Sequence, residues 1–242
     1  RVTDVHTRET QDLDMPVYAV SPKGKTAYSV DFRRIHFARR GYGYTVPEST
    51  RAALHPEAPF DDGLWRVDVE TGACELFVPL RRLMFIAPEP SMAGAFHWVD
   101  HVQVSRHGSH VAFLHRWLTP DGAFSSRLMV ADRFADDVVC LVAGGSASHC
   151  DWRDDDHLIG WFRPERQVNR LRASSPTFRR ALRPALRVLH ARRGVFNAAL
   201  RSVSGDGYFE IDVRSGSRQR VEIPTVEEDG HCALSPSGNY ML

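Results

Sequence analysis

The sequence predicts an all-β fold, a β-propeller of four-stranded antiparallel blades, on three observations. One hairpin frame returns four times, a second hairpin type follows it, and the spacing of the copies fits a blade period once two insertions are set aside. Val17 to Val30, His101 to Leu114 and His231 to Leu242 share the frame strand, Ser-x-x-Gly, strand; His149 to Trp161 is a fourth copy with Asp156 in place of the turn glycine. Alternating apolar residues on both sides of a short Gly or Asp turn describe a hairpin whose turn residue is chosen for positive φ. Leu64 to Gly72 and Tyr208 to Gly216 align position by position as the second hairpin type, each leading into another strand (Glu75 to Val78, Gln219 to Ile223), and Arg127 to Val142 holds a looser version.

The copies start at positions 17, 101, 149 and 231, which are 84, 48 and 82 residues apart. Taking the 41-residue segment 163–203 out of the last interval leaves 41 residues, and taking the 30-residue stretch 33–62 out of the first leaves 54. Both are near the ~40 to 50 residues of known blade periods. Three blades and the opening hairpin of a fourth then fill residues 1–242 as a single propeller domain. Propellers close with about four to eight blades, so the expectation is an incomplete ring that needs further blades or a partner chain.

Charge is unevenly placed. Lys+Arg 31 against Asp+Glu 30 gives a net charge of +1, and all the basic residues but Lys23 and Lys25 are arginine. Between Arg163 and Val203 there are eleven arginines and one acid, Glu165. The inserted segment 163–206 is expected to be helical, because Phe178, Leu182, Ala185, Leu186 and Leu189 recur at helical spacing, with Pro184 kinking or shortening the helix. Two readings stand for it: a contact with a polyanion or membrane surface, or a surface helix docked by its apolar stripe. Nucleic acid is not expected as a partner, because the rest of the chain is acidic and carries no nucleic-acid-binding motif. No run approaches the ~20 apolar residues of a membrane span. Without a basic, apolar leader the expected compartment is the cytoplasm. The four cysteines form no CxxC pair and read as buried thiols.

In a propeller the innermost strand of each blade lines the central channel, so a residue at one repeat position converges on one axis. His101, His149 and His231 each stand at the first position of a copy. Imidazole there serves as a metal ligand or base, or as an interblade hydrogen-bonding group. His97, His115 and Trp117 lie close by in sequence. Aromatic faces beside polar groups suit a sugar site, although Trp98, Trp117 and Trp152 equally suit packing between blades. The loop Gly41-Tyr42-Gly43-Tyr44 either overhangs a channel mouth or is an aromatic-anchored turn.

These residues resemble the oligogalacturonate lyase family, seven-bladed propellers related to the TolB-like and WD40-like group. The resemblance rests on His101-Val-Gln-Val-Ser-x-x-Gly-Ser with His115-Arg-Trp117, on Ser148-His-Cys-Asp-Trp152 and on Gly230-His-Cys-Ala-Leu-Ser-Pro-Ser-Gly238. It covers most of 15–162 and 207–242. It implies β-elimination on acidic (uronate) oligosaccharides, aided by a divalent cation, usually manganese. His101 is similar to the family's base and His149 to one of its metal ligands. Further ligands, a Gln and a His-x-His, would lie on a blade beyond Leu242. Arg116 is a candidate for the substrate carboxylate by proximity alone. His97, His115, Trp117 and His231 complete the expected substrate-binding set. The competing expectation is a non-catalytic propeller that binds a glycan or a protein partner. A propeller gating a serine peptidase ranks last, because no GxSxG elbow is present.

Overall fold

The computed structural model describes residues 1–54, 58–143, 147–162, 205–223, 230–238 and 240–241. Apart from Gly205 and Asp206, the Arg-rich segment 163–206 lies outside the described residues, and so does its expected helix. The chain is mostly β, and every sheet is antiparallel. A two-stranded ribbon, β1 (Val2–Thr3) with β2 (Thr10–Gln11), precedes three four-stranded sheets. The first comprises β3 (Ala19–Val20), β4 (Thr26–Val30), β5 (Gly63–Asp68) and β6 (Cys74–Pro79). The second comprises β7 (Phe96–Val104), β8 (His110–Leu118), β9 (Phe124–Asp132) and β10 (Val138–Val142). The third comprises β11 (Ala147–Trp152), β12 (His157–Phe162), β13 (Gly207–Asp212) and β14 (Arg218–Arg220). In each sheet the strands lie in chain order, and a lone bridge, Leu234 with Met241, follows the third.

The repeated turns have one geometry. Gly24, Gly108 and Gly238 all have positive φ (71°, 83° and 73°), and each N–H donates to the carbonyl of the serine three residues earlier. The fourth turn differs from the expectation. Asp156 is not left-handed; instead the Asp154 carboxylate accepts from the N–H groups of Asp156 and His157 at 2.8 Å each, closing the turn through a side chain. The first insertion also holds a helix that the strand pattern concealed, α1 (Phe32–Ala38). Asp31 caps it by accepting from Arg33 N–H at 2.9 Å, and it buries Ile35 and Phe37. A second short helix, α2 (Leu80–Phe85), follows β6 and buries Leu80 and Leu83.

The second sheet is covered on both faces. Side chains alternate along a strand, so Val111 and Phe113 of β8 enter a core shared with Tyr28, Leu64, Val78 and Leu83, whereas Ala112 and Leu114 enter a core with Trp152, Leu158 and Ile211. Burying each large apolar side chain contributes roughly 1.5–3 kcal/mol. That double coverage gives β8 seven consecutive buried residues, including His115 and Arg116.

Arginines tie neighbouring sheets together through backbone carbonyls. Arg66 Nη1 donates to Arg133 O at 2.9 Å and Arg82 Nη2 to Asp136 O at 3.0 Å. Arg106 donates to Trp152 O at 2.9 Å and Leu234 O at 3.1 Å, and Arg218 donates to Leu141 O. Arg127 gives Nη1 to Ile86 O and Ala87 O at 2.7 and 2.9 Å, and Nη2 to Leu83 O at 2.6 Å. A guanidinium presents five donors in a fixed fork, so one side chain satisfies several carbonyls at once. The arginine bias of the described residues therefore has a structural use.

Among the described residues no helix is long and apolar enough to cross a membrane. None of the four cysteines is in a disulfide; Cys150 and Cys232 are buried as expected, whereas Cys74 and Cys140 are only half-buried.

Candidate functional site

The three repeat-position histidines come together. The His101 and His149 ring centroids are 5.8 Å apart, and those of His149 and His231 are 3.8 Å apart. His101 does not open its strand as expected; it lies within β7, where the register with β8 shifts between Asp100 and Gln103. Its φ is 52°, a left-handed conformation that costs a residue with a Cβ roughly 1–2 kcal/mol. The bulge releases His101 N–H from the ladder, and it donates to Tyr18 Oη of the first sheet at 2.9 Å.

The bulge also changes what His101 faces. Neighbours along a regular strand point to opposite faces, yet His101 Nδ1 lies 2.9 Å from Asp100 Oδ1. A carboxylate accepts, so Nδ1 carries the proton and the lone pair is on Nε2. Among the described residues Nε2 has no hydrogen-bond partner. Asp100 is 1% exposed, and its Oδ2 accepts from Trp98 Nε1 at 3.1 Å and Arg116 Nη1 at 3.0 Å. Both carboxylate oxygens are thus occupied, Oδ2 by the Arg116 guanidinium and the Trp98 indole.

Arg116 therefore serves Asp100 rather than standing open for a substrate carboxylate. It is buried, donates also to Ser126 Oγ at 3.2 Å, and lies over the Phe124 ring. Burial lowers its pKa from the ordinary value, and Asp100 opposes the fall. An exposed guanidinium appears elsewhere: Arg39 lies 4.1 Å above the Tyr42 ring, and Tyr42 stacks on His101 at 6.3 Å. The Gly41–Tyr44 loop thus reaches the histidines, and Arg39, Tyr42, His101, His149 and His231 form a continuous row.

His97, His115 and Trp117 stand apart from that row, all 0% exposed. Arg127 Nε donates to His115 Nδ1 at 3.0 Å, the two rings meet at 2.9 Å (His115 Nε2, His97 Nδ1), and His97 Nε2 donates to Met92 O at 3.0 Å. Arginine only donates and a carbonyl only accepts, so the tautomers are fixed: His115 Nε2–H donates to His97 Nδ1. Trp117 Nε1 donates to Ser91 Oγ at 3.1 Å. Burial first, then Arg127, lowers both histidine pKa values, His97 to about 4. This is a closed packing network that a ligand does not reach.

Gly160 places His149. A Cβ there would sit 2.5 Å from His149 O and 2.7 Å from Cys150 Cβ. Gly160→Ala is expected to push β11 from β12 and cost about 1–3 kcal/mol, the usual range for overpacking; a thermal melt and a His149 NMR shift would register both.

Sequence reasoning missed Asp100, Tyr18 and Arg39. Asp100 is adjacent to His101, but strand alternation assigns them to opposite faces, and nothing in the pattern announces the bulge.

The manganese implied by the resemblance needs several ligands around one point. Among the described residues no group of three or more His, Cys, Asp or Glu is arranged to hold a metal ion, and His149 meets His231 ring against ring. The residues described do not by themselves complete such a ligand set. No family model matches the chain, and no curated protein matches it.

Proposed function

We propose that the chain is part of a β-propeller whose histidine row acts on acidic oligosaccharides by β-elimination, in the manner of the oligogalacturonate lyases it resembles, with His101 as the base. Three successive four-stranded antiparallel sheets in chain order support the propeller reading. The single observation carrying the activity is the Asp100–His101 pair, with Nδ1–H held by a buried carboxylate and Nε2 free to take a proton.

His101 Nε2 takes the proton from C5, α to the uronate carboxylate. The C4–O bond breaks, a C4=C5 double bond forms, and the leaving oxygen acquires a proton from solvent. Charge develops on the carboxylate as C5 loses its proton, and the exposed Arg39 guanidinium beside Tyr42 is the cation of the row that can face it. Tyr42 and the imidazole rings offer faces on which sugar C–H surfaces stack.

Full-length protein incubated with oligogalacturonides, with and without manganese, is expected to generate the absorbance of the unsaturated product. His101→Ala should lower the rate by about 10²-fold or more, the usual contribution of a positioned base. Absence of product from the unmodified protein over a panel of uronides sinks the reading. The aromatic row alone supports a second reading, a propeller that binds a glycan without cleaving it. Its signature is glycan binding that persists in the His101→Ala, His149→Ala double variant under chelation.

A further inference from the structure

The repeated turns of the first two sheets enclose a second cleft, separate from the histidine row. It has a volume of about 840 Å³, within the range of small-molecule sites. One wall is the Ser21–Lys25 turn and the β5–β6 connection; the other is the Gly108 turn and the β9–β10 turn at Arg133 and Phe134. The Ser105 turn begins four residues after His101, roughly 13 Å along the strand at ~3.3 Å per residue. The two sites thus occupy different levels of the same sheets.

The charges lining this cleft are unequal. Lys23, Lys25, Arg66, Arg133 and His107 face Asp68 and Glu75. Glu75 is taken up by an ion pair with Arg66, and His107 by Asp155 at 2.8 Å. Asp68 accepts from Glu70 N–H, Thr71 N–H and the Thr71 hydroxyl at 2.7–3.0 Å, so its Oδ1 is occupied within its own turn. Lys23, Lys25 and Arg133 make no close ion pair among the described residues, although Lys25 is partly offset by Asp68, whose carboxyl pKa it helps to lower. They are exposed, they include both lysines of the chain, and Arg133 lies 4.6 Å above the exposed Phe134 ring.

Lys23 and Arg133 on opposite walls, with Lys25 beside Lys23 and with the Ser21 and Thr26 hydroxyls and the Phe134 ring in the lining, match a tetrahedral oxyanion carried on a ring. We infer that this cleft binds a small ligand bearing a phosphate or sulfate ester. The inference does not depend on the histidine row or its chemistry.

Titration calorimetry of the full-length protein with inorganic phosphate, phenyl phosphate and phenyl sulfate tests it, the two esters distinguishing the oxyanion source. Saturable binding of one equivalent is expected, tighter for at least one ester than for inorganic phosphate. Lys23→Ala with Arg133→Ala should weaken it at least about tenfold, and Lys23→Glu should weaken it further. The altered side chains are exposed, and the Arg133 carbonyl that accepts from Arg66 is retained. Uronide cleavage should be unchanged in these variants, which separates failure of this site from failure of the histidine row. Absence of saturable binding, or equal affinity in the variants, overturns the inference.

Discussion

Asp100→Ala is expected to lower the stability of the protein by about 3–5 kcal/mol, the cost of stranding a buried charge. Arg116 loses the only carboxylate that pairs with it among the described residues, in the buried stretch of β8. Trp98 Nε1 loses its acceptor as well. The conservative change Asp100→Asn separates folding from function. An amide oxygen can still accept from Arg116 or Trp98, but the negative charge is gone and nothing compels the proton of His101 onto Nδ1. Chemical denaturation should therefore place Asp100→Asn between wild type and Asp100→Ala, while the proposed elimination falls by a factor near that of His101→Ala. Equal stability of Asp100→Ala and wild type would mean that the Asp100–Arg116 pair contributes nothing net.

Acidification is expected to weaken the fold between about pH 6.5 and pH 4, by about 3 kcal/mol from His97 alone. In the folded chain an extra proton on His97 must go on Nδ1, against His115 Nε2–H; on His115 it must go on Nδ1, against Arg127 Nε–H. Both sites already face donors. The unfolded chain protonates these rings near pH 6.5, so below that value it binds more protons than the folded chain, and stability falls until His97 protonates in place near pH 4. His115 acts in the same direction. Carboxylates contribute lower on the scale. Burial alone would raise Asp154, but its hydrogen bonds with His157 and Asp156 N–H bring it down to about 2, so its contribution is lost below its ordinary 3.8. Urea midpoints across the two windows resolve the contributions, and a flat midpoint from neutral pH to pH 4.5 would refute the histidine effect.

The all-β class was legible because hairpins announce themselves locally: turn glycines recur at fixed offsets and strands alternate. The Ser-x-x-Gly frame led directly to Gly24, Gly108 and Gly238 in one conformation. Convergence of His101, His149 and His231 was also legible, because equal repeat positions in neighbouring sheets fall side by side. What the pattern could not reveal was departure from regularity. The bulge that turns His101 toward Asp100 contradicts strand alternation, and the helix Phe32–Ala38 is too short to show a period. The aromatic character of His97, His115 and Trp117 suggested a sugar surface, but aromatic side chains fill cores and line sites alike, and only the coverage of both faces of β8 decides between them here.

The carbonyl-gripping arginines have a practical consequence. Reagents that acylate primary amines leave guanidinium groups intact, so the joints between the sheets would survive such treatment. Both lysines of the chain, Lys23 and Lys25, belong to one turn. Coupled to a surface through its side-chain amines, the protein would be held by that turn, with its oxyanion cleft blocked.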